Sequence, residues 1–376
     1  MGCVDTIYPK LISGCGAGFP AGIAYTGLME PRTVPGTIAG RRIAVIGAGA
    51  VGSLVGGLLS RAGEDVTLVG RHDHIEAVRS KGLHISGALG ELVVRPGAAE
   101  TLDFRPDVVL LAVKTQDVEA ACRPIADLAR DAPIVTLQNG VRSDEIVASI
   151  LQRENIVSGV VMLNAQFLRP GGITYARAGF LTVGAAFGPN GPMTREMAEL
   201  LGRAVPTRIS DNIRGAHWTK LLFNNLANGL EAMTGLGVRE CFRHPVLARI
   251  SALSLKEGYR VIRKAGIRAA PLPGVPLAAL SVIALSPLPL AAWIIGRAVG
   301  SGNTLSSTLQ SIRRGRPTEM DYLNGEIVRL GRELGIDTPC NTGIVEAVKE
   351  VEKTGRFRAP AELAGIFFPR RPGGAG

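Results

Sequence analysis

The 376-residue sequence is poor in the side chains that build metal sites and disulfide frameworks. It has an odd number of cysteines, which are scattered and form no C-x-x-C pair: Cys3, Cys15, Cys122, Cys241 and Cys340. Its five histidines include no H-x-x-x-H pair. These absences argue against a zinc site and a disulfide-stabilised fold. We therefore expect a cytoplasmic protein with reduced thiols and no bound metal.

Aromatic residues are also few, at 5% of the chain, although the net charge is +10. The basic residues are dispersed, apart from two short clusters at 313–316 and 370–371. A site for single-stranded nucleic acid combines a basic stripe with stacking aromatic rings, and no such stripe is visible. We expect no nucleic-acid partner, because an anionic cofactor and an anionic substrate are a sufficient reason for the positive charge.

Charged residues are absent from residues 269–296. The segment is long enough to span a bilayer, but it contains five prolines, and Pro287 and Pro289 would break a spanning helix. We expect a pair of short helices, packed within a helical domain or buried in a homodimer contact, and no membrane association. A role at the membrane surface is the alternative.

Glycines mark the stretch around which the chain is organised, residues 41–58. An apolar run at 43–46 predicts a buried strand, glycines follow at G-x-G-x-x-G spacing, and leucine and valine then recur at helical spacing. In a dinucleotide fold these glycines permit the tight turn, the approach of a pyrophosphate and close helix–strand packing. The predicted cofactor loop consists of Gly47, Ala48, Gly49, Ala50, Val51 and Gly52. The alternative is an ordinary glycine-rich turn.

Further apolar runs alternate with helical patterns and predict an open, doubly wound parallel sheet with its ligand at the carboxyl ends of the strands. The predicted strands lie at 43–46, 65–69, 108–113, 134–137 and 156–162. Residues 83–86 and 92–94 form a predicted paired insertion, residues 180–185 an antiparallel addition, and residues 207–210 a short closing strand. The helix after the second strand is predicted to be capped at Asp73.

Almost everything beyond Asp211 has helical periodicity. The predicted fold class is therefore α/β, a Rossmann-type doubly wound sheet followed by an all-α C-terminal domain. The predicted parts are an extension at 1–40, a nucleotide-binding domain at 41–210 and a helical domain at 211–376, with the boundary near Ser210. Residues 1–40 contain many glycines and prolines and no apolar core behind a basic segment. They are predicted to be poorly ordered, and not a secretory signal.

Lys220, Asn224 and Asn228 recur at i, i+4 and i+8, which would place them on one helix face. Asparagine is a mediocre helix former, so this stripe indicates the polar wall of a cleft, with a solvated face as the alternative. Asn139 and Lys114 follow two predicted strands at the ligand edge of the sheet. The alternatives are an Asn-Gly turn and a solvated lysine.

Two other residues carry predictions with local alternatives. Arg71 follows the second strand, where NAD-specific folds of this kind have a carboxylate, so it predicts binding of the 2′-phosphate of NADPH. Arg71 could also be solvated, and Asp73 could be the ribose partner. Glu319 begins a predicted helix within a T-x-x-D capping box, and capping is its favoured local interpretation.

Several segments, in order, resemble the ketopantoate reductase family over residues 42–351. They are GAGAVGS, LAVKTQD, LQNGV, the W-x-K-L-x-x-N-x-x-x-N pattern at 218–228, and SSTLQSIRRGRPTEMDYLNGEIVRLGRELGIDTPCN. The resemblance implies NADPH-dependent reduction of 2-dehydropantoate to pantoate, on the route to pantothenate and coenzyme A. One departure is Gly229, where many members of the family have proline.

The resemblance also implies roles for individual residues. Lys220 matches the catalytic lysine, the general acid, and Glu319 the active-site glutamate. Substrate-contacting positions are matched by Asn224, Asn228 and Ser307, and positions in the cofactor cleft by Asn139 and Lys114. Two other functions stay open: reduction of a different 2-oxo acid on the same scaffold, and a non-catalytic NADP(H)-binding sensor or membrane-associated scaffold.

Overall fold

A ten-stranded mixed sheet dominates the first half of the computed structural model, which describes residues 40–297 and 306–369. The strands are β1 (Arg42–Ile46), β2 (Asp65–Val69), β3 (Leu83–Gly87), β4 (Leu92–Val94), β5 (Gly97–Ala99), β6 (Val108–Leu111), β7 (Ile134–Thr136), β8 (Ile156–Arg169), β9 (Gly172–Ala185) and β10 (Thr207–Ile209). Their order is β4-β3-β9-β8-β7-β6-β1-β2-β5, and β10 pairs with β9. The prediction of a poorly ordered extension lies, except for Gly40, outside the described residues.

The centre of the sheet is parallel in the order β2-β1-β6-β7-β8. Along β1, Ile43 and Val45 join the apolar core on one face of the sheet, and Ala44 and Ile46 join the core on the other face. A strand buried on both faces needs a continuous apolar run, which is what this segment has. The strand order reverses at β1, so ligand is expected beyond the carboxyl ends of β1 and β6.

The antiparallel part of the sheet is larger than the sequence predicts. Strands β8 and β9 pair from Val157 opposite Ala185 to Arg169 opposite Gly172. Strand β8 therefore continues past the predicted end at 162, where its residues become only partly buried. This extension is only partly buried and carries polar side chains, so its sequence lacks the continuous apolar run that predicts a buried strand. Strand β5 escaped prediction because it consists of Gly and Ala alone.

Fifteen α-helices lie in the described residues. They are α1 (Ala50–Arg61), α2 (His72–Lys81), α3 (Val118–Cys122), α4 (Ser143–Leu151), α5 (Pro192–Gly202), α6 (Ile213–Asn225), α7 (Asn228–Thr234), α8 (Val238–Arg243), α9 (Pro245–Lys264), α10 (Leu277–Leu285), α11 (Leu288–Arg297), α12 (Ser307–Arg313), α13 (Asn324–Glu333), α14 (Pro339–Thr354) and α15 (Pro360–Phe367). Beyond Ile209 the described residues form no strand, only an isolated bridge between Leu272 and Val275. The predicted fold class, a Rossmann-type sheet followed by helices, is confirmed.

The division near Ser210 stays a prediction; it falls between the end of β10 and the start of α6. The cap predicted for α2 is wrong. Arg71 occupies the N-cap with extended backbone, φ −72° and ψ 146°, and α2 begins at His72. Asp73 lies inside the first turn, where the helix dipole still favours its carboxylate.

The uncharged segment at 269–296 forms two short helices, α10 and α11, that pack against the long helix α9. They are separated at Ser286 and Pro287, as predicted. Leu280, Ile283 and Ile295 are buried in the core of the helical half. In the described part of the chain, every helix is too short or too polar to cross a bilayer.

Candidate active site

The glycine loop has the geometry that a pyrophosphate requires. Gly47 has φ +103°, and a Cβ there would lie 2.5 Å from the Val113 nitrogen. A Cβ on Gly52 would lie 2.2 Å from the Gly47 oxygen. These two glycines are needed for packing, whereas a Cβ on Gly49 would meet nothing within 4 Å. The open side at Gly49 adjoins the first turn of α1, whose N–H groups have no partner within the helix. The loop therefore fits a dinucleotide.

The end of β2 lies against this loop. The N–H groups of Gly47 and Ala48 donate to the Val69 oxygen at 3.0 and 2.9 Å. Arg71 is exposed two residues later, and its guanidinium forms no ion pair with another described residue. A cation therefore follows the second strand, whose last residue contacts the glycine loop.

Three predicted site residues meet at the carboxyl edge of the sheet. Asn139, three residues beyond β7, accepts a hydrogen bond from Lys220 Nζ on its Oδ1 at 2.8 Å. Its Nδ2 donates to Glu319 Oε2 at 3.3 Å. Lys220 comes from α6 and Glu319 from the segment ahead of α13, so the three side chains come from separate parts of the chain. We call them the Lys220–Asn139–Glu319 cluster.

Burial sets the proton affinity of Lys220. Lys220 is only 8% exposed, so it does not lie on a solvated helix face. Burial lowers the pKa of Lys220 to about 8, and the negative charge of Glu319 opposes that shift. A lysine with such a pKa is an ammonium at neutral pH and can give up its proton easily.

Glu319 does not cap its own helix, so the capping prediction is wrong. Its Oε1 accepts from the Thr115 N–H at 3.2 Å, on the opposite side of the cleft. The long helix predicted from Glu319 begins only at Asn324, after a 3-10 turn at Met320–Tyr322. The Thr115 hydroxyl donates to the Asn139 main-chain oxygen at 2.8 Å and joins the same arrangement.

The predicted single helix bearing Lys220, Asn224 and Asn228 is interrupted. Helix α6 ends at Asn225 and α7 begins at Asn228. Between them the Ala227 N–H bonds to the Asn224 oxygen at 3.2 Å, an i to i+3 contact that tightens the turn. Asn224 is half-buried and Asn228 is 9% exposed. Neither side-chain amide is hydrogen-bonded to another described residue, which leaves both amides available to a ligand.

Packing accounts for glycine at position 229. A Cβ there would lie 2.5 Å from Ile344 Cγ2, because α7 packs closely on α14. A larger residue would require this contact to move.

Lys114 reaches across the cleft instead of pointing into solvent. Its Nζ donates to the Pro317 oxygen at 2.6 Å and to Ser311 Oγ at 3.1 Å. Burial lowers the pKa of Lys114, and Glu319 opposes the shift. Arg142 crosses the same cleft to the buried Glu326, with 3.2 Å between Nη1 and Oε1.

Ser307 is the first residue of α12 and is exposed. It has no hydrogen bond to the Lys220–Asn139–Glu319 cluster among the described residues. The neighbouring Ser306 caps α12, since its Oγ accepts from the Leu309 N–H at 3.2 Å.

A buried polar network beside the cluster was missed at the level of sequence. His217 Nδ1 lies 2.9 Å from the Gly140 oxygen, and its Nε2 lies 2.7 Å from Ser158 Oγ. Ser158 also contacts Asp144 Oδ2 at 2.5 Å. The available signal was spacing, since His217 precedes Lys220 by three residues and so shares its helix face.

The thiols Cys122, Cys241 and Cys340 are free and buried, while Cys3 and Cys15 lie outside the described residues. Over residues 40–297 and 306–369, no group of three or more His, Cys, Asp or Glu side chains could hold a metal ion.

The chain is similar to known proteins over most of its length. The family model described as ketopantoate reductase PanE/ApbA matches residues 43–188, and the model of its C-terminal part matches residues 212–352. A 2-dehydropantoate 2-reductase of Archaeoglobus fulgidus is 30% identical, over 83% of this chain and 98% of its own length.

Solved structures agree with these matches. A PanE/ApbA family ketopantoate reductase from Ralstonia eutropha JMP134 has a TM-score of 0.71 and 30% identity, covering 83% of this chain and 98% of that one. The ternary structure of D-mandelate dehydrogenase with NADH and anilino(oxo)acetate has a TM-score of 0.72 at 24% identity, covering 83% and 99%, and shows likeness of fold. The two family models together span both halves of the chain, which therefore belongs to the ketopantoate reductase family.

Proposed function

We propose that this oxidoreductase reduces 2-dehydropantoate to pantoate with NADPH, on the route to pantothenate, and that Lys220 is the general acid. The observation that carries the proposal is the buried lysine at the carboxyl edge of the sheet, held by Asn139 beside Glu319. A sensor would have no use for a buried proton donor, so the cluster favours an enzyme. The names of the similar proteins support the choice of substrate.

The residues that would hold the cofactor are those of the glycine loop, with Arg71 at the far end of the site and Lys114 and Asn139 towards the reacting end. A nicotinamide cofactor, when bound, supplies hydride to the carbonyl carbon. The protein then has to provide a proton and compensate negative charge on the carbonyl oxygen.

Lys220 can meet both needs. Its ammonium stabilises developing negative charge on the oxygen and then donates a proton, help that is worth about 10²–10⁴-fold in rate. Asn139 orients the ammonium through a neutral acceptor, which does not neutralise the charge. Asn224 and Asn228 would bind substrate oxygens without adding negative charge to the site, and Ser307 is proposed as a further substrate contact.

A panel of 2-oxo acids, followed by NADPH absorbance, tests the proposed function. The highest kcat/KM with ketopantoate would support it. The second candidate, reduction of another 2-oxo acid, is favoured by the likeness of fold to D-mandelate dehydrogenase, so the panel includes benzoylformate. A higher kcat/KM with benzoylformate than with ketopantoate would overturn the proposed substrate. No turnover of any acid in the panel would overturn the proposal that the protein is a 2-oxo acid reductase.

Glu319→Gln should lower kcat, raise KM for the keto acid and move the alkaline limb of the kcat profile to lower pH. Activity that needs the ammonium falls as pH rises through the pKa of Lys220, which is about 8. Glu319 raises that pKa, so removing its charge makes the ammonium lose its proton at lower pH. The measurement is kcat from about pH 6 to about pH 10, a range that extends to both sides of the pKa of Lys220.

Asp321→Asn is the matched control for Glu319→Gln. It removes the same charge two residues away, at an exposed carboxylate that pairs with Lys349. Its alkaline limb should stay in place. Normal kinetics with a lower melting temperature for Glu319→Gln would instead show that the carboxylate only joins the two sides of the cleft.

A homodimer and a cytoplasmic location are also proposed. Four large apolar side chains on α10 and α11 are at least 39% exposed: Val282, Leu285, Leu290 and Trp293. Exposed apolar groups of this kind are typical of subunit contacts. Light scattering of the purified chain measures its mass, and a monomeric mass at micromolar concentration would contradict the homodimer.

A further inference from the structure

The buried network of His217, Ser158 and Asp144 joins the helix that carries Lys220 to the loop that carries Asn139. His217 and Lys220 lie one turn apart on α6 and contact consecutive residues of that loop. Lys220 bonds to the Asn139 side chain at 2.8 Å, and His217 Nδ1 lies 2.9 Å from the Gly140 main-chain oxygen. The helix is therefore attached to the loop at two adjacent points.

The hydrogen bonds of the His217 ring have defined directions. A carbonyl oxygen only accepts, so Nδ1 carries a proton and donates to Gly140. The Ser158 hydroxyl has a single proton but lies 2.7 Å from His217 Nε2 and 2.5 Å from Asp144 Oδ2. The hydroxyl donates to the Asp144 carboxylate, and its oxygen faces His217 Nε2.

The other contacts of the network prevent the ring from turning. Ser158 is fully buried in β8, and Thr136 Oγ1 donates to the other carboxylate oxygen of Asp144 at 2.5 Å. The loop itself is tightly packed, because Gly140 has φ +91° and a Cβ there would lie 2.9 Å from the Tyr322 oxygen. Tyr322 follows Glu319 closely, so the loop also adjoins the third member of the cluster.

We propose that His217 is a positioning residue, which holds the Asn139–Gly140 loop so that Asn139 orients the Lys220 ammonium. Asp144 and Ser158 hold the imidazole in the orientation that this requires. His217 touches neither substrate nor cofactor and acts through Asn139. The inference rests on the proposed function, in which Lys220 is the general acid.

Two substitutions of His217 remove its contacts with Gly140 and Ser158 one at a time. In His217→Asn the amide nitrogen replaces Nδ1, so donation to Gly140 is kept and the reach to Ser158 is lost. In His217→Gln the amide nitrogen replaces Nε2, so the contact with Ser158 is kept and the bond to Gly140 is lost. Both changes remove the imidazole from the same buried place, so each is the control for the other.

We expect His217→Gln to lower kcat by about tenfold or more, because small displacements of catalytic groups are costly, while KM for NADPH is unchanged. His217→Asn should keep a kcat at least about threefold above that of His217→Gln, because it loses only the support from Ser158 and keeps the bond to Gly140. Equal activity of the two variants, whether normal or impaired, would overturn the proposal. Thermal melting and NADPH fluorescence establish that each variant is folded and binds cofactor.

If both variants fail to fold, Ser158→Ala decides the matter, since it removes the second support of the ring and keeps the Gly140 contact. A lower kcat at unchanged KM for NADPH would support the proposal, and a wild-type kcat would overturn it. Lys220→Met is measured alongside. An active Lys220→Met protein would show that the proposed function, with Lys220 as general acid, is wrong. If Lys220→Met is inactive but the His217 variants do not differ in kcat, only the proposal for His217 is wrong.

Discussion

Lys220→Ala is expected to lower kcat by about 10²-fold or more while the protein stays folded and binds its cofactor. In the proposed mechanism the ammonium is the proton donor, and its buried position excludes water that could take over the task. Binding of NADPH should persist, because the residues proposed to hold its phosphates are those of the glycine loop and Arg71, which this substitution leaves in place. The measurements are kcat with saturating ketopantoate and the fluorescence titration of NADPH.

Lys256→Ala is the matched control for this substitution. Lys256 is partly buried and also donates to main-chain oxygens, those of Ala284 and Ser286, but in the helical half. It should leave kcat nearly unchanged even if it lowers the melting temperature. Turnover of Lys220→Ala within about threefold of the wild type would remove Lys220 from the role of general acid.

The wild-type enzyme should prefer NADPH over NADH by at least about tenfold in kcat/KM, and Arg71→Ala should erase most of that ratio. Strand β2 is followed by Gly70 and Arg71, with no carboxylate to repel a 2′-phosphate. The guanidinium gives a phosphate two parallel N–H donors, which the hydroxyl of NADH does not need. The loss should therefore appear with NADPH and barely with NADH.

Arg79→Ala separates this effect from a general loss of positive charge. Arg79 lies on the same helix, α2, but its Nε donates to the Ala98 oxygen at 2.8 Å. Its removal should leave the cofactor ratio unchanged. Asp73→Asn tests the other interpretation, in which Asp73 binds the ribose. Equal kcat/KM of the wild type with the two cofactors would refute the predicted preference for NADPH.

The features that could be predicted from sequence are those that short-range patterns specify. Strand β1 is apolar throughout because both of its faces are buried, and the glycines after it are required by contacts of 2.5 Å or less at Gly47 and Gly52. The prolines at 287 and 289 divided the uncharged segment into two helices for the same local reason.

The errors concern features that distant contacts decide. Glu319 fits a helix cap by its neighbours, yet its carboxylate bonds to Thr115 and Asn139, about 200 residues away in the chain. The break between α6 and α7 has no proline or glycine at 224–227 to announce it. In the sequence His217 is one more polar residue of a helix, because its partners, Ser158 in β8 and Gly140, are far from it in the chain.

The contacts across the cleft have a consequence for the speed of turnover. Lys114 to Pro317, Thr115 to Glu319 and Arg142 to Glu326 all join the sheet half to the helical half. The proposed cofactor would extend from the glycine loop into the cleft that these contacts cross, so we expect its entry and release to require that such bridges separate. Opening is then a step in series with proton transfer, and it has its own barrier. Added viscogen should slow release of the oxidised cofactor, and variants that weaken the bridges should release it sooner.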